Sequence, residues 1–490
     1  MVARCFIFSL VLGVLGADLA TAQRPQSAGP PQLAITHVTV IDATGAPPRT
    51  DCTVVIANGR IAAIDSGASL IARDARIIDA HGLFLMPGLW DMHAHAFSEG
   101  SAHLLPLFYF DLAVANGVTG LRDMAGFADN IEADEQWRNA LRTGAIRGPQ
   151  MLLAGALVDG PNPTYPRSIT VSTPRQARAA VDSLQHRGVD FIKVYNMLPR
   201  EEFLAIAEEA KKDSIPFAGH VPLSVRASEA SDAGQKSFEH LWGLLLESSN
   251  REDELRAAMW AEANRPGTRP SQLRPTTKFA RELAESYDPQ KASALFALLV
   301  KNHTWQVPTL SVLHMLAYIE DVSKQDDPRL RYFPRVLQEE WNPARDWRTN
   351  QRDVAEIRNS HLLFDQDLKL VREMHAAGVR MLAGTDSTEP YTYPGFTLHD
   401  ELAWLVTAGL TPMEALQSAT RNAAEFLGRS DRQGTVEVGK DADLVLLKAN
   451  PLTDIHNTQK IDAVILHGRY LSRADLDNIL DVVAKAAKGN

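Results

Sequence analysis

The chain has 490 residues, of which 45% are apolar and 22% charged, and its formal net charge is −10. Such a length and apolar share supply a sizeable core, in one large barrel or in several smaller domains. The acidic balance argues against a nucleic-acid backbone as partner, and no basic tract points to a membrane surface.

Arg4 precedes the apolar run "CFIFSLVLGVLGA", and Ala20-Thr21-Ala22 stands just before Gln23. A basic start, a short apolar run and a small-x-small site together make a secretory leader. The run is too short to span a bilayer comfortably. Residues 1–22 are therefore expected to be a cleaved signal peptide, with an uncleaved anchor helix as the alternative. The mature chain is expected to be secreted or periplasmic, without membrane contact after cleavage. Cys5 leaves with the leader and Cys52 stays alone, so neither a disulfide nor a cysteine metal site is expected. Residues 23–32, rich in Pro, Gln and Ser, read as a linker.

Residues 33–85 carry the strand-like runs "LAITHVTVID", "TVVIANGRIAAID" and "ARIIDAHGLFLMPG". Asn58-Gly59 between alternating apolar residues marks a hairpin. Residues 429–475 have the same character in "GTVEVGKDADLVLL" and "IDAVILHGRYL". The two ends together predict one small β-sandwich, followed by a helix or tail over 476–490.

Between them, residues 86–428 alternate. Apolar runs at 83–92, 118–122, 150–157, 189–195, 215–219, 236–239, 305–311 and 379–384 are separated by helical patterns such as "TPRQARAAVDSLQHRG" and "HLLFDQDLKLVREMHAAG". An α/β chain of this kind predicts a (β/α)8 TIM barrel rather than a doubly wound sheet. Residues 244–304 and 311–365 are long connections that either cover the mouth or simply pack.

The first of these strands ends in "LWDMHAHAF". Alternation along a strand puts Asp91, His93 and His95 on one face. Two imidazoles on one face suit a metal, although His-x-His alone is equally compatible with an ordinary hydrogen-bonded histidine. The fifth strand ends in "PFAGHVP" with His220, the sixth in "KSFEHLWG" with His240, and the eighth in "MLAGTDS" with Asp386. Strand C-termini of a barrel converge on one mouth. Lys193, in "VDFIKVYN", shares a face with Phe191 and Tyr195 and would point into that mouth. Burial and nearby cations both favour its neutral amine. A neutral amine can take up carbon dioxide as a carbamate, an anion able to bridge two metals. Strand logic alone leaves two other readings, a lysine paired to a buried carboxylate and one lying between barrel and helices.

Together these segments resemble the amidohydrolase superfamily: "MPGLWDMHAHAF", "GVTGLRDM", "FIKVYN", "GHVP", "FEHLWG", "AGTDS", "TPMEALQSATRNAAEFLG" and "GTVEVGKDADLVLL". The similarity spans nearly all of the mature chain and lies toward the imidazolonepropionase-like and prolidase-like branch. It implies a binuclear site, usually zinc. His93, His95 and Asp386 would hold one ion, His220 and His240 the other, and carboxylated Lys193 would bridge both. It implies hydrolysis of a C–N bond in a small substrate such as an N-acyl amino acid or dipeptide, with Asp386 moving the proton. Ring deaminases of the superfamily carry His-x-x-Glu after the fifth strand, and here Leu223 takes the Glu position. The dipeptidase-like branch often has a Tyr soon after that His, and none occurs between 221 and 235.

Tyr195, Tyr165, Arg167, Arg122 and His399 are candidate substrate contacts. The alternative enzyme is a mononuclear one acting on a cyclic amide, imidazolone or lactone. A non-catalytic binding relative is the third reading, disfavoured because all six ligand positions are filled. The expected partner is a small-molecule substrate, and a homo-oligomer is left open.

Overall fold

The computed structural model describes residues 32–65, 71–97, 106–265, 278–346 and 352–489. The predicted leader, and the linker except its last residue, lie outside these. Among the described residues no helix is long and apolar enough to cross a membrane.

The two ends of the chain share one eight-stranded sheet. Leu33–Val40, Arg49–Ala57, Arg60–Asp65, Arg76–Asp79 and Phe84–Pro87 come from the N-terminal side, and Leu444–Leu447, Ile461–Leu466 and Arg469–Ser472 from the C-terminal side. The seam is the antiparallel pair Phe84–Pro87 and Leu444–Leu447, with Val445 opposite Met86. Alternate residues such as Leu33, Ile35, Val54, Ile56, Leu444 and Leu446 fill one buried cluster on its face. Period-2 alternation and this burial are the same fact seen twice. Asn58 and Gly59 both have positive φ, +52° and +75°, as a two-residue primed hairpin turn requires. Cys52 is a buried thiol whose Sγ–H points to Arg49 O at 3.6 Å.

The remaining strands are short and parallel, and most are separated by helices. Leu89–Ala94, Val118–Asp123 and Gln150–Leu153 form one sheet, and Leu157–Asp159, Ile192–Val194, Phe217–Gly219, Ser237–Glu239 and Trp305–Val307 run in order through the other. The Asp190 N–H donates to Leu153 O at 2.8 Å where the two sheets meet. On the far side Gln306 bridges Met381 and Ala94 bridges Ser387, both in parallel sense.

Three predicted strands differ in detail. The run 150–157 breaks at Gly155, whose φ is +74° and whose missing Cβ would sit 2.7 Å from Val189. The run 305–311 stops at Val307, because Pro308 has no N–H and Thr309 turns left-handed at φ +52°, where the helix Leu310–Ala317 starts. The run 379–384 pairs only through single bridges. Its backbone still bonds both ways: Leu382 N–H to Gln306 O at 2.9 Å, and Met92 N–H to Ala383 O at 2.9 Å.

The helices follow from their caps and stripes. Thr173 accepts from the Gln176 N–H and Pro174 follows it, starting Pro174–His186. Asp353 and Glu356 make a reciprocal capping box for Val354–Ala376. The 244–304 connection contains the helices Glu252–Ala263, Ala280–Glu285 and Pro289–Lys301. The final helix, Arg473–Gly489, buries Leu476, Ile479 and Val483. That spacing is one face of a helix.

Candidate metal centre

The parallel order brings His93, His95, Lys193, His220, His240 and Asp386 to one end of the strands. Asp386 lies at the middle of the group. Its Oδ1 is 3.2 Å from His93 Nε2 and 3.0 Å from His95 Nε2, and its Oδ2 is 3.9 Å from His240 Nε2. The ring of His240 is 4.9 Å from that of His93 and 4.7 Å from that of His220. Ligand atoms of His93, His240 and Asp386 all fall within 4.8 Å of one another. His93, His220 and His240 are buried, and Lys193 has no exposed surface at all.

Each histidine is held from behind through Nδ1. His93 meets Glu239 Oε2 at 2.8 Å, His95 meets Ala125 O at 3.2 Å, His220 meets Asn196 Oδ1 at 2.8 Å and His240 meets Thr309 Oγ1 at 2.6 Å. Carboxylate, carbonyl and amide oxygens only accept, so the first three rings carry their proton on Nδ1. Thr309 Oγ1 also donates to Pro308 O at 2.7 Å, so it accepts from His240. The Nε2 atoms of His93, His95 and His240 therefore face the Asp386 carboxylate. Lone pairs this close repel unless a cation or proton lies among them. His93 Nε2 and Lys193 Nζ are buried and make no hydrogen bond. This is the donor set and outer support that a divalent metal requires.

The charges are arranged accordingly. Burial pulls the Lys193 amine down to about 8, against the opposing pull of Glu239 and Asp386. Roughly a tenth of it is then neutral at pH 7. Burial and the neighbouring Lys193 hold His220 well below its ordinary range, and burial takes His240 down to about 3. Burial opposes ionisation of Asp386, yet the surrounding imidazoles of His93, His95 and His240 outweigh it and hold it well below the carboxylate range. Beneath the site, Glu239 accepts from Arg122 Nη2 at 2.8 Å and from Ser237 Oγ at 2.5 Å. Burial pushes Glu239 up, but the guanidinium and His93 outweigh it and keep it ionised. Asp91 ties the first strand to the eighth by accepting from Thr385 Oγ1 at 2.6 Å.

Backbone shape is exacting here. His240, Thr309 and Asp386 occupy left-handed φ at +63°, +52° and +59°. Non-glycine residues adopt this at some expense, and such positions cluster at functional sites. Gly219 precedes His220 at φ +134°, and a Cβ there would meet Val194 O at 2.2 Å and Lys193 Cδ at 3.0 Å. The glycine is what lets the fifth strand approach the lysine.

The candidate substrate contacts divide. Tyr195 lies against the site, its ring 4.0 Å from that of His220, and Tyr165 stands behind it at 5.7 Å and is 38% exposed. Arg167 does not reach the ligands: it bonds Asp129 Oδ1 at 2.5 Å and stacks on Phe127 at 3.6 Å. Arg122 is not at the mouth either. It is wholly buried, donating to Met92 O, Ser237 and Glu239. His399 lines no pocket, because its two ring nitrogens meet Thr458 Oγ1 and Asn116 O, both at 3.0 Å, in the helix layer. Sequence reasoning passed over Glu239, Asn196 and Thr309, the partners behind the rings. The only available signal for Glu239 was its place directly before His240. Trp242, also unremarked, stacks on His240 at 5.0 Å.

The amidohydrolase family description matches residues 339–471. The chain is 23% identical to the ochratoxinase of Aspergillus niger over 483 residues, covering 85% of this chain and 81% of that protein. It is 41% identical to the imidazolonepropionase of Maricaulis maris over 110 residues, which cover 21% of this chain and 25% of that one. Among solved structures it is similar to a bottromycin amidohydrolase, with a TM-score of 0.68 and 23% identity over 95% of this chain and 91% of that one. A Xaa-Pro dipeptidase with bound methionine matches with a TM-score of 0.63 and 21% identity over 90% of this chain and all of the other. The family match over residues 339–471, the relative similar over most of its length and the histidine–aspartate–lysine cluster at the strand ends point the same way: the chain is similar to the amidohydrolase superfamily.

Proposed function

We propose that this hydrolase cleaves the amide bond of a small substrate, such as an N-acyl amino acid or dipeptide, and uses two divalent cations, zinc by preference. The observation that carries the reading is the convergence of His93, His95 and His240 on the Asp386 carboxylate, together with Lys193 Nζ, a buried amine without a hydrogen bond. His93, His95 and Asp386 would hold one ion and His220 and His240 the other. Lys193 would serve both as its carbamate. In forming it, the ammonium loses a proton, the amine attacks carbon dioxide to make an N–C bond, and a second proton leaves, so the side chain passes from +1 to −1. We read the parallel strands as a (β/α)8 barrel closed through 381–387, with the terminal sheet folded as a small sandwich.

Bound cations supply Lewis acidity toward the amide carbonyl and ionise water near neutral pH. Asp386 does the proton work. Its side chain is 15% exposed, and it reaches both groups of histidines. It takes the proton released by the attacking water and returns it to the leaving nitrogen, which departs as a neutral amine. Lys193 as ammonium would oppose cation binding, so its neutral form or carbamate is the working state. Glu239 and Arg122 hold His93 in the tautomer that presents Nε2.

Amide and peptide substrates are supported by relatives named as an ochratoxinase, a bottromycin amidohydrolase and a Xaa-Pro dipeptidase. The test is turnover of a panel of N-acyl amino acids and dipeptides by protein loaded with zinc, against the same protein stripped by chelator. Loss on stripping and recovery on reloading support the reading; turnover untouched by chelation contradicts it. A single-ion enzyme acting on a cyclic amide, imidazolone or lactone is the second reading. His93, His240 and Asp386 suffice for one ion, and imidazolonepropionases are among the relatives. Export by the 1–22 leader is part of the proposal, and N-terminal sequencing of the mature protein would then begin at Gln23.

A further inference from the structure

The segment "GFTLHDEL" draws notice for His399, but the residue in it that reaches toward the centre is Glu401. It lies on the helix Phe396–Thr407, after the eighth strand, and is completely buried. A carboxylate there needs donors, and it has three. Leu310 N–H donates to Oε1 at 3.0 Å, and Ser311 N–H and Oγ–H donate to Oε2 at 2.7 and 2.8 Å. These donors are the first turn of the helix Leu310–Ala317, whose N-terminal N–H groups have no partners within the helix. An anion placed there also complements the helix dipole.

The residue just before that helix is Thr309. It is left-handed at φ +52°, an unfavourable conformation for a β-branched residue, and its own side chain makes no cap to the helix. Its hydroxyl instead accepts from His240 Nδ1 at 2.6 Å and donates to Pro308 O. The strained turn therefore does not stabilise itself. It is held from the C-terminal side by Glu401, which fixes the two residues that follow. On its other side it fixes the tautomer and tilt of His240.

We propose that Glu401 is a positioning residue for the metal centre: by clamping the Leu310–Ser311 turn it holds Thr309 in the conformation that orients His240 Nε2. This rests on the reading of His240 as a metal ligand. Replacement by Gln leaves one acceptor oxygen and turns an NH2 toward a backbone N–H, so the clamp opens on one side.

The test is metal affinity of the whole protein by competition with a chelating dye, together with the visible spectrum of the cobalt-substituted form. Glu401→Gln is expected to weaken one ion about 10-fold, leave the other unchanged and shift the cobalt spectrum, in line with loss of an outer-shell contact. Thr309→Val, which keeps shape and removes the hydroxyl, is expected to do the same, and the double variant to be no worse than either single one. A merely structural Glu401 would lower folding stability without moving ion affinity or spectrum. Should Glu401→Gln not fold, Ser311→Ala removes only one of the three donors and is expected to give a smaller shift of the same ion. His240→Ala separates the two layers of the argument. If it weakens binding while the Glu401, Ser311 and Thr309 variants bind like wild type, the positioning role is wrong and the ligand reading stands. If His240→Ala itself binds both ions as tightly as wild type, the ligand reading fails, and the positioning role with it.

Discussion

Replacing Glu239 with Gln isolates one charge in a buried part of the molecule. Glu239 and Arg122 are both buried, 2.8 Å apart, and the guanidinium's other donors go to Met92 O and Ser237 Oγ. Removing one member of a buried pair leaves the other charge uncompensated, and that loss is about 3–5 kcal/mol. Arg122 keeps two neutral acceptors, which places the expected effect near the lower end, about 3 kcal/mol. The double variant Glu239→Gln with Arg122→Met removes the stranded charge, and it should recover about half of that loss. The assay is urea unfolding of the metal-free protein for wild type, both single variants and the double variant. A single-variant loss below about 1 kcal/mol, or strict additivity in the double variant, would refute the claim that the pair acts as a buried electrostatic unit.

Three further outcomes are expected. Burial depresses His399 to about 4, so the unfolded chain binds a proton below about pH 6.5 that the native state refuses. Stability should therefore fall as pH drops from about 6.5 toward 4, by about 3 kcal/mol from this residue, and the fall should be smaller in His399→Gln when urea midpoints at pH 7 and 4.5 are compared. Gly219→Ala forces a Cβ to 2.2 Å from Val194 O and should destabilise the metal-free protein by more than about 2 kcal/mol, read by the same unfolding assay. Tyr195→Ala removes the ring 4.0 Å from His220 and should change KM more than metal content, a split measured by steady-state kinetics beside elemental analysis.

The six candidate ligands could be read because strand ends in a parallel α/β chain converge, whatever the loops between them do. His93, His220 and His240 follow apolar runs, and Lys193 interrupts one, so each stands out locally. Their partners could not be read. Glu239 meets His93 across 146 positions and Thr309 meets His240 across 69, adjacencies made only by the closing of the strands. His399 misled for the opposite reason: it stands shortly after a strand end, yet a helix turns it toward Asn116 and Thr458. Arg122 misled because a strand's inner face and its mouth give the same alternation. The eighth strand showed as an apolar run, but its few bridges depend on neighbours that no local pattern encodes.

The most direct measurement of the central claim is the metal content of the purified protein, by elemental analysis, for wild type and Lys193→Ala with added bicarbonate. Two ions per chain in wild type, falling to one or fewer with loss of amide hydrolysis in the variant, is the predicted result. Two ions and full activity in Lys193→Ala would contradict the bridging lysine, and one ion in both would favour the single-ion enzyme.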